Sequence, residues 1–413
     1  MPVAHSYFCP CPRGLEGVLS QELNEIAAKS ATLKVHRSVP GGVHCSGSLE
    51  DGWLLNLHSR IASRILLRFA QSSYKDEEDI YKLAVKQPWE KWFGVENTIR
   101  IDIAAIKSPL KSLNFATLRV KDGIVDRFRN QVHERPSIDT RTPDIRVSAF
   151  LDAHNITLYL DTSGEALFKR GWRTETGEAP LRENLAAGLI KMTGWKPGTP
   201  LFDPMCGSGT ILIEAAQMMA GIPPGINRHF AFERMQGFDK GYWQSMKAQA
   251  KRNAMASPPM LFGSDISTAM LAKARTNIAN AGVPFTIPLQ QVEAQEIKMP
   301  VDRPGIILTN PPYGERITIR GNRSLEKEER APYFYQQFSA MLKQRFAGWS
   351  VYLFTADLSV PKMMRLKESM RTPLFNGAIE CRLFRFDMVL GSNRLKAPRA
   401  PRVFRREPSK EGQ

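Results

Sequence analysis

Hydrophobic and polar positions change their period near residue 165, and that change divides the chain. Before it, short alternating stretches and amphipathic helices follow one another. "SYFCP" reads as a strand, and "GLEGVLSQELNEIAA" places Leu15, Val18, Leu19, Leu23 and Ile26 on one helical face. "GGVHCSG" reads as a strand, and "LLNLHSRIASRILLRFA" as a helix with Leu57, Ile61, Ile65 and Leu66 on one face. "TIRIDIAAI" alternates as a strand, "TLRVKDGIVDRFRNQV" forms a basic amphipathic helix, and "DIRVSAFLD" and "ITLYLDTSG" alternate as paired strands. Residues 1–162 are therefore expected to be a mixed α+β region.

Beyond about 165, strands at "TPLFDP", "MLFGSD", "FTIPLQQV", "GIILTN" and "WSVYLFTA" alternate with helices at "SGTILIEAAQMMA", "STAMLAKARTNIANAG" and "PYFYQQFSAMLKQRFAG". This alternation predicts an α/β unit with a mostly parallel sheet and helices on both faces. The alternating "AIECRLFRFDMVLG" predicts an antiparallel hairpin at the last edge. Residues 394–413 lose the apolar pattern and carry Arg394, Lys396, Arg399, Arg402, Arg405, Arg406 and Lys410. That tail is expected to be disordered, either touching phosphate or keeping the protein soluble.

The charge narrows the partner. Lys and Arg total 57 against 41 acids, a formal +16 with a pI near 9.7. Such a balance favours a polyanion, with nucleic acid first and an acidic membrane surface as a competitor. No apolar run is long enough to cross a bilayer, and the N-terminus lacks a secretory pattern. Five scattered cysteines suit a reducing, cytoplasmic setting, and no ligand spacing calls for a metal.

Candidate chemistry lies at strand ends. In "LFDPMCGSGTILIEAA" an apolar strand ends at Asp203, a loop with Gly207 and Gly209 comes next, and a helix begins at once. Small residues let a ligand approach the backbone, and the helix start offers unpaired N–H groups. A dinucleotide fingerprint would need a third glycine where Thr210-Ile211-Leu212 stands, and a phosphate loop would need a lysine. The remaining candidate is a cofactor with an adenosine but no pyrophosphate. Asp265, ending the next strand, is placed to accept from ribose hydroxyls, and Glu293, after the third, from an adenine amino group.

The fourth strand runs into "ILTNPPYGER". Prolines end the strand and stiffen the backbone beyond it, so flanking side chains are held in fixed directions. The Asn310 side-chain carbonyl and the Pro311 backbone carbonyl can each accept one proton of an exocyclic amino group. Its nitrogen is then favoured as a pyramidal nucleophile aimed at an electrophilic methyl. Tyr313 can stack on the base.

"DPMCGSGT", Asp265 and "NPPYGER" together resemble the class I S-adenosylmethionine-dependent methyltransferases that modify exocyclic amino groups. The segments "CPRGLEGVLSQEL", "GGVHCSG", "SRIASRILL", "RVKDGIVDRF" and "PDIRVSAFLD" resemble the ferredoxin-like and THUMP regions of RNA-modification enzymes. "RGWRTETGEAPLRENLAAGLI" resembles the lead-in helix that packs at the methionine end of the cofactor. Over nearly the whole chain the resemblance is to THUMP-containing 23S rRNA guanine-N2 methyltransferases, which in some bacteria form the N-terminal half of a longer fused protein. It implies a ferredoxin-like part at 1–55, a THUMP domain at 43–162 with an overlapping boundary, and a Rossmann-like class I methyltransferase domain at 163–393.

The resemblance further implies that S-adenosyl-L-methionine is held by Asp203, Pro204, Cys206, Gly207, Ser208, Gly209, Thr210, Asp265, Ile266, Glu293 and Asn310. Asn310, Pro311, Pro312 and Tyr313 would hold the guanine. Lys121, with Arg119 and Arg127 nearby, is a candidate for RNA contact. Glu293 stands where many relatives have Asp. The chain ends at 413, so one activity is expected, from a cytoplasmic monomer needing neither metal nor membrane. The partner would be 23S rRNA or an assembling large subunit. Competing readings are a THUMP-containing tRNA guanine-N2 methyltransferase and a non-catalytic RNA-binding assembly protein. DNA adenine methylation uses a similar Asn-Pro-Pro-Tyr, but the THUMP-like half argues for RNA.

Overall fold

The computed structural model describes residues 4–174, 181–252, 260–312 and 327–389. The N-terminal half is built on one seven-stranded sheet. Its strands are β1 (His5–Pro10), β2 (Lys34–Val39), β3 (Gly42–Gly47), β4 (Leu66–Ser73), β5 (Ile99–Ala105), β6 (Ile145–Leu151) and β7 (Asn155–Asp161), in the order β2-β3-β1-β4-β7-β6-β5. Pairing is antiparallel except between β5 and β6. The β4–β7 ladder joins the strands up to residue 73 to those from 99 onward in one sheet, with a register shift between Arg68 and Ala70.

One face of this sheet is apolar. Tyr7, Cys9, Cys45, Leu67, Val147 and Leu158 are buried there under helices. These are α1 (Glu16–Ala27), α2 (Leu49–His58), α3 (Glu77–Val85) and α4 (Leu113–Val132). Three of the elements, β2, β4 and α3, are absent from the sequence reading, β4 because its start falls within an expected helix. β2 is mostly exposed and carries no apolar period, whereas α3 is amphipathic, with Ile80 and Ala84 buried and Leu83 half-buried on one face, but is only nine residues long.

The expected helix over 54–70 is corrected. A reciprocal cap between Ser48 and Asp51 starts α2 at Leu49, and Ser59 is already extended. The buried Glu22 carboxylate then accepts from the Ser59 hydroxyl at 2.8 Å and from the Arg60 and Ile61 N–H groups at 3.1 Å each. With those donors satisfied outside a helix, the chain turns, and Leu66 onward pairs as β4.

The second half has the expected α/β alternation. Its strands β8 (Leu201–Asp203), β9 (Leu261–Asp265), β10 (Leu289–Gln291), β11 (Ile306–Thr309), β12 (Ser350–Thr355), β13 (Met370–Asn376) and β14 (Ile379–Asp387) are ordered β10-β9-β8-β11-β12-β14-β13. The first five in that order are mutually parallel, and β14 runs antiparallel to β12. The antiparallel edge is present, but the first strand of its hairpin is β13, just upstream of the stretch that suggested it. Helices α5 (Glu183–Met192), α6 (Thr210–Met219), α7 (Lys240–Arg252), α8 (Thr268–Asn280), α9 (Lys327–Arg345) and α10 (Val360–Met364) complete the unit.

The halves are packed together through α5 and α6. A Cβ added at Gly188 of α5 would lie 2.4 Å from a Leu15 methyl just ahead of α1, so glycine there lets the buried Leu15 side chain keep its place against α5. Below it, Glu214 of α6, fully buried, accepts from Arg60 at 3.2 Å and Arg170 at 3.1 Å. Trp53 of α2 stacks on Phe232, which joins Phe230 and Trp243 in an aromatic cluster that seats residues 230–243.

Candidate active site

The chain reverses its winding at β8, which has β9 on one side and β11 on the other. In open α/β sheets the crevice above such a point is where ligands bind. At the end of β8, Asp203 is buried and its Oδ1 accepts from the Met205 N–H at 3.2 Å. Burial pushes its carboxyl up to about 7, while the Thr309 hydroxyl and the Met205 N–H work the other way and the Asp265 charge adds to the rise. The next turn is fastened to β9. The Cys206 N–H donates to the Ser264 carbonyl at 2.9 Å, and the Ser264 hydroxyl to the Pro204 carbonyl at 3.2 Å. The Cys206 thiol is buried, and burial pushes its pKa well up.

Two glycines shape the cradle. Gly207 at φ +53° and Gly209 at φ +85° occupy the left-handed region, and Gly209 caps the start of α6. Asp265 ties this loop down: its Oδ2 accepts from the Gly207 N–H at 2.9 Å and its Oδ1 from the Ser267 N–H at 2.9 Å. Each oxygen retains a lone pair for a further donor. The Ile266 carbonyl accepts from Gln291 at 3.3 Å, drawing the end of β10 against this turn.

An arginine that the sequence reading did not single out braces the cradle from the opposite side. Arg173 donates to Glu183 at 2.8 Å, to the Leu181 carbonyl at 3.1 Å, to the Ser208 hydroxyl at 3.2 Å and to the Thr210 hydroxyl at 2.8 Å. The lead-in stretch containing Arg173 and Glu183 stands out in the sequence. Which of its arginines reaches the loop depends on long-range packing and has no local signature.

The fourth strand brings the candidate base-holding segment beside Asp203. Ile306 and Ile307 pair with Leu201 and Phe202, β11 ends at Thr309, which still pairs with Leu353, and Asn310, Pro311 and Pro312 leave the sheet next to the cradle. Pro311 is buried, and Asn310 and Pro312 are half-buried. Tyr313 lies outside the described residues, as does the basic stretch 394–413. Glu293 comes after β10 in a turn closed by its own carbonyl and the Glu296 N–H at 2.9 Å. Glu293 is half-buried.

Arg119, Lys121 and Arg127 are on α4, in the other half. Arg119 pairs with Glu78 and lies over the Tyr81 ring, Lys121 meets Asp122 at 3.0 Å, and Arg127 clasps Glu90 through two bonds of 3.0 and 2.6 Å. Two clefts, of about 760 and 620 Å³, share Lys29 and His58 and lie beside α1 and α2, away from the strand ends. Among the described residues no His, Cys, Asp and Glu cluster could hold a metal, and no helix is long and apolar enough to cross a membrane.

The strand order and a glycine cradle between two strand-end acids define the S-adenosylmethionine-dependent methyltransferase fold. The residues present fit that cofactor: the glycines open the backbone, α6 presents its N-terminus, and Asp265 has accepting capacity at the loop. A family model described as the RMKL-like methyltransferase domain matches residues 170–385, and the chain belongs to that family. Models of the THUMP domain and of the RlmL ferredoxin-like domain match residues 74–161 and 6–66.

Curated relatives include Ribosomal RNA large subunit methyltransferase K/L of Aeromonas salmonicida (strain A449), 37% identical over 94% of this chain and 54% of that protein. The protein of the same name from Psychromonas ingrahamii (strain DSM 17664 / CCUG 51855 / 37) is 38% identical over 91% of this chain and 49% of its own length. The chain thus spans about half the length of the curated relatives it matches. Among solved structures, a possible methylase from Clostridium difficile 630 superposes with a TM-score of 0.83 at 28% identity, covering 97% of this chain and 100% of that one. SMU.472 complexed with SAH gives 0.81 at 26% identity, covering 94% and 99%.

Proposed function

We propose that this chain methylates the exocyclic N2 amino group of a guanine in 23S rRNA, using S-adenosyl-L-methionine. The observation that carries the reading is the adjacency of the Asn310-Pro311-Pro312 segment to the Asp203 cradle across the β8–β11 ladder. When bound, S-adenosylmethionine supplies an electrophilic methyl group. Gly207, Ser208, Gly209 and Thr210 would line it, with Asp265 accepting from ribose and Glu293 near adenine.

The chain's own residues act on the base. A guanine amino nitrogen is a weak nucleophile because its lone pair is delocalised into the ring. The Asn310 side-chain carbonyl and the Pro311 carbonyl would each accept a hydrogen bond from one amino N–H, favouring a pyramidal nitrogen whose lone pair points at the cradle. The nitrogen would gain the methyl as the S–C bond breaks to leave a thioether, and would shed one proton to solvent. Proline stiffness holds both acceptors in place, and Tyr313 would stack on the base. Positioning does most of the work, so no strong base is required. The RNA substrate is supported by the THUMP match and by the names of the half-matching relatives. Lys121, Arg119 and Arg127 would contact RNA through whatever potential their acidic partners leave.

Mass spectrometry of nucleosides from separated rRNA and tRNA, with and without the gene, tests the reading. Loss of N2-methylguanosine from large-subunit rRNA is expected. Loss from tRNA would reassign the substrate, and no loss in either pool would contradict methylation of either RNA.

A further inference from the structure

The sheet of the N-terminal half has a second face, and it is chemically unlike the first. Register defines its members, because residues directly paired across strands point to the same side. Phe8 pairs with His44, Ser6 with Ser46 and Lys34 with Ser46. Arg68 and Ser148 both pair with Tyr159, and Arg100 pairs with Arg146. A bond of 3.2 Å from Arg68 to the Ser6 hydroxyl joins the two groups of strands on this side.

Rings line the middle of that face. Phe8 lies 4.9 Å from His44 and 6.2 Å from Tyr159, and Phe150 continues the row two residues beyond Ser148 on β6. Phe8, His44 and Phe150 are half-buried, so part of each ring meets solvent. Burial first, then the charges of Arg37, Arg68 and His36, hold the His44 imidazole below its ordinary pKa, which keeps the ring neutral.

Cations surround the rings. Lys34 and Arg68 are exposed, as is Arg37, which sits in the β2 register shift between Val35 and Ser38 and whose charge bears on His44, and Arg100 and Arg146 are half-buried. The carboxylates at the described strand positions of this face are Asp102, which both Arg100 (2.7 Å) and Arg146 (3.3 Å) address, and the buried Asp161, which Arg64 takes. The face is therefore net positive. By contrast, the α4 cations singled out from the sequence each have an acid of their own.

We propose that this open sheet face, centred on Phe8 and His44 and flanked by Arg37 and Arg68, binds an unpaired segment of the RNA substrate. Single-stranded RNA is recognised by stacking unstacked bases on aromatic platforms while cations track the phosphates, and strands about 4.8 Å apart present rings at a spacing that suits successive bases. A regular duplex hides its base faces and has nothing to offer the rings. The inference rests on the reading of RNA as substrate and deepens it, by naming the structural class of RNA and the surface that takes it.

The test uses the full chain and two fluorescent probes, an oligouridylate of about 12 nucleotides and a duplex of matched length, with binding monitored by anisotropy. The oligouridylate should bind more tightly than the duplex. The double variant Arg37→Glu/Arg68→Glu should weaken it by about tenfold or more and flatten its salt dependence, while cofactor affinity stays unchanged. Ultraviolet cross-linking should place uridine on the peptides holding Phe8, His44 or Phe150. The milder Phe8→Leu, which retains apolar bulk, should lose the cross-link at position 8 at an unchanged melting temperature. Wild-type affinity in the double variant, or cross-links confined to other segments, would overturn the surface and leave the methylation reading standing. Failure of the unaltered chain to bind either RNA would instead overturn the reading on which it rests.

Discussion

Asp203 shows what a single buried carboxyl contributes at the residue scale. Its ordinary value of 3.8 is raised to about 7 by burial. Between those two values the unfolded chain has lost the proton and the folded chain still holds it, so stability falls as pH rises from about 4 to about 7 and stays lower above. Asparagine at this position cannot ionise. The stability of Asp203→Asn relative to the parent should therefore improve from pH 5 to pH 8, by an amount of order a few kcal/mol. Thermal melts of both proteins across that range check it, and parallel pH profiles would contradict it. Strand-end acids such as Asp203 and Asp265 are legible in the sequence because an apolar run points straight at them. The Arg173 brace is not, because a guanidinium's partners 8 to 37 positions away are set by folding.

Among the elements, the glycine loop and α6 carry the site. Gly209 sits at φ +85°, and a Cβ there would meet the Ala274 methyl of α8 at 3.3 Å. Gly209→Ala should cost about 1–2 kcal/mol and weaken cofactor binding roughly tenfold with helix content retained. Urea denaturation, calorimetry and circular dichroism together check this, and unchanged affinity would separate the loop from cofactor binding. The loop can be read from sequence because glycine spacing and a helix start are local features. The passage from α2 to β4 cannot. Apolar residues at 54, 57, 61, 65 and 66 fit a helical period, and the decisive group is Glu22, which binds the chain after residue 58 from another helix. Likewise β2 exposes most of its side chains and is held by backbone pairing to β3, which leaves no apolar period to find.

For the molecule as a whole, the two halves are joined by a buried charge cluster. Glu214 is fully buried, and the side chains of Arg60 and Arg170 are 8% and 1% exposed. Glu214→Ala would leave the Arg170 guanidinium buried without its carboxylate and Arg60 with only Glu22 nearby, at a cost of about 3–5 kcal/mol. Urea titration should show that loss, and a change below about 1 kcal/mol would mean that water already reaches the cluster. The division into an α+β half and an α/β half is visible in the hydrophobic period alone. That the first half forms one continuous sheet, with an aromatic and basic face opposite its helices, depends on the β4–β7 register.

The most direct measurement of the central claim is methyl transfer in vitro. The purified chain is given methyl-labelled S-adenosylmethionine and large-subunit rRNA from cells lacking the gene, and the labelled nucleoside is identified. The unaltered chain should yield N2-methylguanosine, and Asn310→Ala should yield none while binding the cofactor normally by calorimetry. Label in another nucleoside, or undiminished turnover by Asn310→Ala, would contradict the account.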